Sequence, residues 1–483
     1  MELINKIKTK INNNSFLLVT LSTVVCSGLS FVFSVYAKRY IDKDIYGVYS
    51  SCLLLQTYLA YAQLGTFNAY NRDYPQSMGK GEDSEMKKMK NTTLSFMFVI
   101  YAALFVVVLA VLLPLKKLQI VDSMHFFGFA VAPFMMLLKN VDDLSVCTAK
   151  MFVRYRFTAV MSLVRTVIAM GFAVVGVQLC GYYGLYVMPF VSAFLGVVFF
   201  FKDGLKGYRF DWDFAYVKIM VLSGVPLLVN SLIWTVVTSV DKFVILIFMS
   251  EADLGVYTVP LLGFTAMVVI PQSISQMFYF RISKLYGETG DVNQLLDKAG
   301  ELSGITAAIS GVACVAAFYI MPIFVSFFMP LYTEGTVATQ IILVGVAIYA
   351  TTMLFGNIFG VLKLNKAMIL NSIYLCVFNI VFSTALVLLV GKYIECVAVG
   401  TALSYTLYSH MLIKKLNSTF NYSFLKLFSK TWGPLLSIVA PAVLFYVFIP
   451  NVWISLGVSL FTVLLACGII LRLRKNPQSA RNS

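Results

Sequence analysis

The chain has 483 residues, 59% of them hydrophobic and only 12% charged, with a formal net charge of +15. Ordinary soluble domains are about half apolar and about one quarter charged, so this composition excludes a water-soluble globular protein. A basic balance points to nucleic acid only in a soluble chain; here the arrangement of the charges along the sequence accounts for it.

The opening residues, MELINKIKTKINNN, are basic and polar. The apolar run behind them is too long for a cleavable signal and has no clear small-residue cleavage site, so it is expected to form the first membrane helix. Apolar runs of about twenty residues then recur along the whole length. Fourteen spans are predicted: 15–36, 46–68, 93–114, 123–149, 158–180, 182–201, 219–245, 255–279, 301–322, 336–361, 367–391, 393–413, 431–449 and 452–471. Lipid admits helices or closed barrels, and these runs do not alternate, so an all-α polytopic membrane protein is expected.

With both termini on the cytoplasmic side, the inside segments carry 28 Lys and Arg. The outside loops carry six (Lys38, Arg39, Lys43, Lys116, Lys117 and Lys392), and the other three lie within spans. The positive-inside rule then fixes the orientation and favours an even number of spans. The outside connections are short, the longest covering residues 323–335, which leaves no room for an extracytoplasmic catalytic domain. The largest polar segment, residues 69–92 with a KKMK run at 87–90, is expected to be a solvated, orientation-setting loop on the inside.

The chain also repeats itself. Tyr46-Gly47-Val48-Tyr49-Ser50, at the mouth of span two, returns 208 residues later as Leu254-Gly255-Val256-Tyr257-Thr258 at span eight. The same offset carries Pro114 onto Pro322, and brings the polar stretch that begins at Arg72 to within one residue of Arg281. It is a shift of six helices, and six is even, so both copies share one orientation, as in parallel transporter repeats. The expected organisation is an N-terminal lobe over residues 1–209 (helices 1–6), a C-terminal lobe over 210–425 (helices 7–12), and an appended helix pair with a basic tail over 426–483. Tyr49 and Tyr257 read as packing residues at helix entry.

Several chemistries are missing. No GxxxxGK[ST] phosphate loop occurs, so the sequence shows no means of using ATP. There are two histidines, His125 and His410, and no HExxH, so neither a catalytic centre nor a metal site is expected. The eight cysteines lie in or beside apolar runs without CxxC spacing and read as small buried hydrophobes.

What remains is a set of ionisable residues at membrane depth. Each costs about 2.5–3.5 kcal/mol at a bilayer centre on insertion scales, so each is expected to face a cavity or a partner. Lys139, Asp142 and Asp143 in span four share one helix face at i, i+3 and i+4. Either Lys139 and Asp143 compensate each other, or the three line a water-filled path. Arg165 in span five has no opposite charge within one helical turn. A tertiary partner such as Asp142 or Asp143 would make it structural; without one, its guanidinium suits a phosphate through paired donors. Asp241 and Lys242, late in span seven, are candidates for cation coupling or an interhelical ion pair. Arg72 and Arg281, at the inner ends of spans two and eight, read as snorkelling anchors that could also capture an anionic head group. The candidate substrate-binding residues are thus Arg165, Lys139, Arg72 and Arg281. The candidates for ion coupling or ion pairing are Asp142, Asp143, Asp241 and Lys242.

Two six-helix lobes, GVY opening spans two and eight, SVDKFVI at residues 239–245 and RDYPQSMGKGE at residues 72–82 together resemble the bacterial polysaccharide flippases. These are the O-antigen and repeat-unit translocases of the multidrug/oligosaccharidyl-lipid/polysaccharide exporter superfamily, and the resemblance covers about residues 10–415. It implies a V of two lobes open alternately to each side. The implied cargo is an oligosaccharide linked through pyrophosphate to undecaprenol, whose lipid tail stays in the bilayer. The family's cavity cations carry over to Arg165 and Lys139. The implied partners are this lipid-linked oligosaccharide, membrane lipids, a coupling H+ or Na+ and polysaccharide assembly proteins, with no nucleic acid and no cofactor. A cation-coupled multidrug exporter of the same superfamily is the alternative function, and a peptidoglycan lipid flippase the third.

Overall fold

The computed structural model describes residues 2–362 and 364–475, and every regular element among them is helical. In unit order the first helices are α1 (Glu2–Tyr40), α2 (Lys43–Leu59), α3 (Thr66–Lys80), α4 (Asp83–Lys117), α5 (Ser123–Met151), α6 (Tyr155–Cys180), α7 (Val187–Phe199), α8 (Phe201–Gly204) and α9 (Phe214–Val237). They are followed by α10 (Val240–Phe248), α11 (Glu251–Thr289), α12 (Val292–Phe328), α13 (Thr336–Val361), α14 (Asn365–Leu389), α15 (Ile394–Phe420), α16 (Phe424–Phe448) and α17 (Val452–Lys475). Each predicted span lies over helical chain, although 46–68 crosses the turn at Leu64 and Gly65 and 219–245 the break at Thr238 and Ser239. Among the described residues, eleven stretches are long and apolar enough to cross a membrane. One of them, Tyr155–Phe199, holds both α6 and α7. Counting those two separately and adding the shorter apolar helix Trp453–Ala466 within α17 gives thirteen, and α2, which carries the predicted second span, makes fourteen.

The exposure pattern reverses that of a water-soluble protein. Leu179, Leu389 and Phe448 are at least 75% exposed, whereas Thr93, Ser95, Ser303 and Ser404 are fully buried. Apolar side chains cover the surface that lipid would wet, and neutral polar ones turn inward to partners. Thr93 donates to the Met89 carbonyl and Ser404 to the Gly400 carbonyl, each at 2.7 Å.

The helices fall into two compact units, Met1–Thr235 and Val236–Ser483. Within the first, α1 packs on α6, α6 on α7, α4 on α5, and α5 on α2 and α7. Within the second, α10 packs on α14, α14 on α15, α12 on α13, and α13 on α11 and α15. These internal neighbours correspond under the 208-residue offset, and so do helix boundaries. Tyr40 and Phe248 end α1 and α10; Lys43 and Glu251 open α2 and α11. One hydroxyl of α12 reaches both of the extra helices, α16 and α17. Tyr319 donates to the Ala442 carbonyl at 3.1 Å and meets Ser455 and Ser459 at 2.6 and 2.9 Å.

The polar segment at residues 69–92 is not a loop. It is the rest of α3, a turn at Gly81 with φ of 74°, and the first turns of α4. Thr66, Tyr70, Tyr74 and Ser77 are all buried, and their spacing of i, i+4, i+8 and i+11 makes one inward helix face. Composition alone had read this amphipathic helix as solvated chain. Near its start, Gln63 Oε1, two residues before the N-cap Gly65, accepts from the Phe67 amide at 2.9 Å. There the chain turns through Leu64 and Gly65, both at positive φ. A Cβ on Gly65 would stand 2.6 Å from the Gly224 carbonyl carbon, so backbone meets backbone where α9 passes.

Candidate functional site

Two buried carboxylates organise the polar interior, one in each unit. In the first unit Asp142 of α5 faces Arg165 of α6. The guanidinium Nη1 stands 2.6 Å from both carboxylate oxygens, and the side chains are 7% and 16% exposed. The sequence left open whether Arg165 has a tertiary partner, and the structure gives it Asp142. Gly196 of α7 closes over the pair. A Cβ there would come to 2.0 Å from Asp142 Oδ1 and 2.2 Å from Arg165 Nη1, so only glycine lets α7 approach. The Nε of Arg165 is buried and makes no hydrogen bond. Two residues before Asp142, Asn140 donates to the Tyr101 hydroxyl at 2.7 Å, which donates to the carbonyl of Leu59 at 2.8 Å. Leu59 is the last residue of α2, so a side chain of α4 holds the point where α2 gives way to a 3-10 turn over Ala60–Gln63.

In the second unit a two-residue break, Thr238 and Ser239, separates α9 from α10. The break places Asp241 in the first turn of α10, where the helix dipole favours an anion. Asp241 is 7% exposed. It accepts from Tyr257 of α11 at 2.7 Å, Asn379 of α14 at 2.9 Å and Thr401 of α15 at 2.8 Å. No cation comes within ion-pair distance of it among the described residues. Lys242 is half-buried on the same turn but does not pair with it. Around the carboxylate, Ser383 meets the Asn379 carbonyl oxygen at 2.9 Å, and Thr401 and Ser383 both reach the Val397 carbonyl, at 3.0 and 3.4 Å. The result is a nest of hard oxygen donors from α10, α14 and α15 around one negative charge. Oxygen sets of this kind, beside an interrupted helix, are what transporters offer to small cations.

The other sequence candidates lie apart from these sites. Lys139 and Asp143 are both exposed on α5 and do not meet within 4 Å. Arg72 is exposed on α3. It forms a two-point pair with Asp73, at 2.6 and 2.8 Å, and donates to the Ser223 carbonyl at 3.3 Å. Arg281 falls within α11, but its side chain lies outside the described residues. Sequence reasoning missed Asn379, Ser383 and Thr401, which carry no charge to mark them. It also kept Tyr257 for packing, whereas its hydroxyl serves Asp241. Lys38, counted with the outside loops, is in the last turn of α1 and only 1% exposed. Its ammonium donates to Ser34 at 2.9 Å and lies 4.0 Å over the Tyr46 ring.

Internally repeated helix contacts and buried polar centres within long apolar helices define the chain as a multi-pass helical membrane protein. The comparisons agree. The structure is similar to "Lipid II flippase MurJ, inward closed conformation", with a TM-score of 0.72 at 13% identity, covering 94% of this chain and 99% of that one. It is also similar to an inward-facing multidrug resistance MATE family transporter of the MOP superfamily, with a TM-score of 0.64 at 12% identity, over 84% and 99%. A third match is the Vibrio cholerae MATE transporter VcmN in its bent form, with a TM-score of 0.51 at 12% identity, over 87% and 99%. At these identities the likeness is one of fold. The family described as "Polysaccharide biosynthesis protein" matches residues 80–331. The match spans more than half of the sequence, and the chain belongs to that family. No curated protein matches it.

Proposed function

We propose that the chain flips an undecaprenyl-pyrophosphate-linked oligosaccharide repeat unit across the bacterial cytoplasmic membrane by alternating access, for assembly of a surface polysaccharide such as O-antigen or capsule. The observation that carries this reading is membership of the polysaccharide biosynthesis family. Residues 1–209 and 210–425 act as the two lobes, residues 426–483 as an accessory pair and tail, and both termini face the cytoplasm, as the loop charges favour. Asp241 and its oxygen neighbours bind the coupling cation, Na+ or H+. The exposed cations Lys139 and Arg72, with Arg281, contact the pyrophosphate. Arg165, balanced by Asp142, reaches the cargo in the state where that pair opens. Polysaccharide assembly proteins receive the product.

Deleting the gene in a host without a paralogue is expected to strand lipid-linked repeat units on the cytoplasmic leaflet and abolish surface polysaccharide. Intact surface polysaccharide with lowered drug tolerance would replace this reading with cation-coupled multidrug export, a function that the Asp241 site would serve equally well. Lethality with accumulated peptidoglycan precursor would indicate a peptidoglycan lipid flippase instead.

A further inference from the structure

A groove of about 960 Å³ opens between the start of α14 and the end of α15, away from both carboxylate centres. On α14, Lys366, Leu370 and Tyr374 follow one another at i, i+4 and i+8, so they line one face. Lys414 and Lys415 stand opposite on α15. All three lysines are exposed and none has an ion-pair partner within 4 Å among the described residues. Leu370 and Tyr374 are 50% and 43% exposed, which gives the groove an apolar flank beside its basic end.

The floor supplies an independent sign of a ligand. Asn371 lines the groove and is only 7% exposed, yet among the described residues its amide nitrogen has no hydrogen-bond partner. Leaving a buried donor unsatisfied is unfavourable, and native structures rarely retain one without a partner. Three cations and an orphaned N–H beside an apolar wall match a molecule with an anionic, oxygen-rich head and a hydrocarbon tail. The lysines also lie at the helix ends that the charge pattern assigns to the cytoplasmic leaflet, where anionic lipids meet basic pockets between helices.

We propose that the α14–α15 groove binds a resident anionic phospholipid, with its phosphate between Lys366, Lys414 and Lys415, an oxygen accepting from Asn371, and its acyl chain along Leu370 and Tyr374. This lipid is separate from the transported cargo. Because α14 and α15 also carry Asn379 and Thr401, the lipid steadies the two helices that supply donors to Asp241.

The test is thermal unfolding of the purified full chain in detergent with added phosphatidylglycerol or phosphatidylcholine. Phosphatidylglycerol is expected to raise the midpoint by about 2–4 °C more than phosphatidylcholine, as for any ligand that binds only the folded state. The triple variant Lys366→Gln, Lys414→Gln, Lys415→Gln is expected to abolish that difference, while Asp241→Asn keeps it. Asn371→Leu supplies a second reading: it should be more stable than the parent without lipid and gain less from phosphatidylglycerol. Equal responses to the two lipids, an unchanged difference in the triple variant, or the same shift from inorganic phosphate alone would each overturn the proposal. The assay involves no transported substrate, so it stands or falls separately from the flippase reading.

Discussion

Asp142 and Asp241 are the same residue type, equally buried, and held in opposite ways. Asp142 is matched by the full charge of Arg165, under a glycine that admits no other atom. Asp241 is met by a phenol, an amide and a hydroxyl, none of which cancels its charge. A charge-matched carboxylate is a fastener until an anionic cargo takes its cation: breaking the pair with nothing in exchange strands a charge. A carboxylate met only by neutral donors keeps its charge unmatched, and on the proposed reading a coupling cation supplies what is missing. The contrast is between a charge matched within the protein and one left unmatched.

Breaking the fastener should have the largest effect. Arg165→Ala is expected to destabilise the protein by about 3–5 kcal/mol in denaturant unfolding, and adding Asp142→Asn should restore most of the loss. A double variant no better than the single one would mean that charge compensation is not what Arg165 provides. Next is the cation. At a hundredfold excess over its Kd, Na+ should stabilise the wild type by about 2.7 kcal/mol relative to choline at equal ionic strength. Asp241→Asn should remove that response and still fold. Persistence of the response in this variant would place the cation elsewhere. Gly196→Ala comes third, with a cost of about 1–3 kcal/mol from overpacking. Gly171→Ala on α6, with nothing within 4 Å, should be neutral or gain up to about 1 kcal/mol. Similar behaviour of the two glycines would dissolve the idea of a closely covered pair. Smallest is Arg72→Gln, where loss of an exposed pair should change stability by about 0–1 kcal/mol; a larger fall would make Arg72 part of the fastened interior.

Much of the fold was legible because lipid imposes a simple rule. Long apolar runs must be helices, and every predicted span lies over helical chain. The repeat was legible too, since Gly47 and Gly255 mark corresponding turns in α2 and α11. The segment from Arg72 to Lys80 was misread because an amphipathic helix with many polar residues has the composition of a loop, and only the positions of Tyr70 and Tyr74 betray its inner face. The break at Thr238 and Ser239 left no such trace, as both residues are tolerated within helices. The charged members of the site stood out against the apolar background. Asn379, Ser383 and Thr401 did not, because neutral polar residues are scattered throughout these helices and only the fold gathers three of them about one carboxylate.

The duplicated tyrosine also records a divergence between relatives within one molecule. Tyr49 and Tyr257 are 208 residues apart, and each is buried in its unit. Tyr49 spends its hydroxyl on the Leu185 carbonyl at 3.3 Å and packs edge-on against Tyr186. Counting the same offset back from Asp241, Asn379 and Thr401 leads to Phe33, Gly171 and Ala193, none of which has a polar side chain. Two descendants of one ancestral half have thus kept a common tyrosine and parted at three facing positions. On the proposed reading, ion chemistry in this duplicated protein is confined to one copy by three side-chain exchanges, with the inherited backbone left in place.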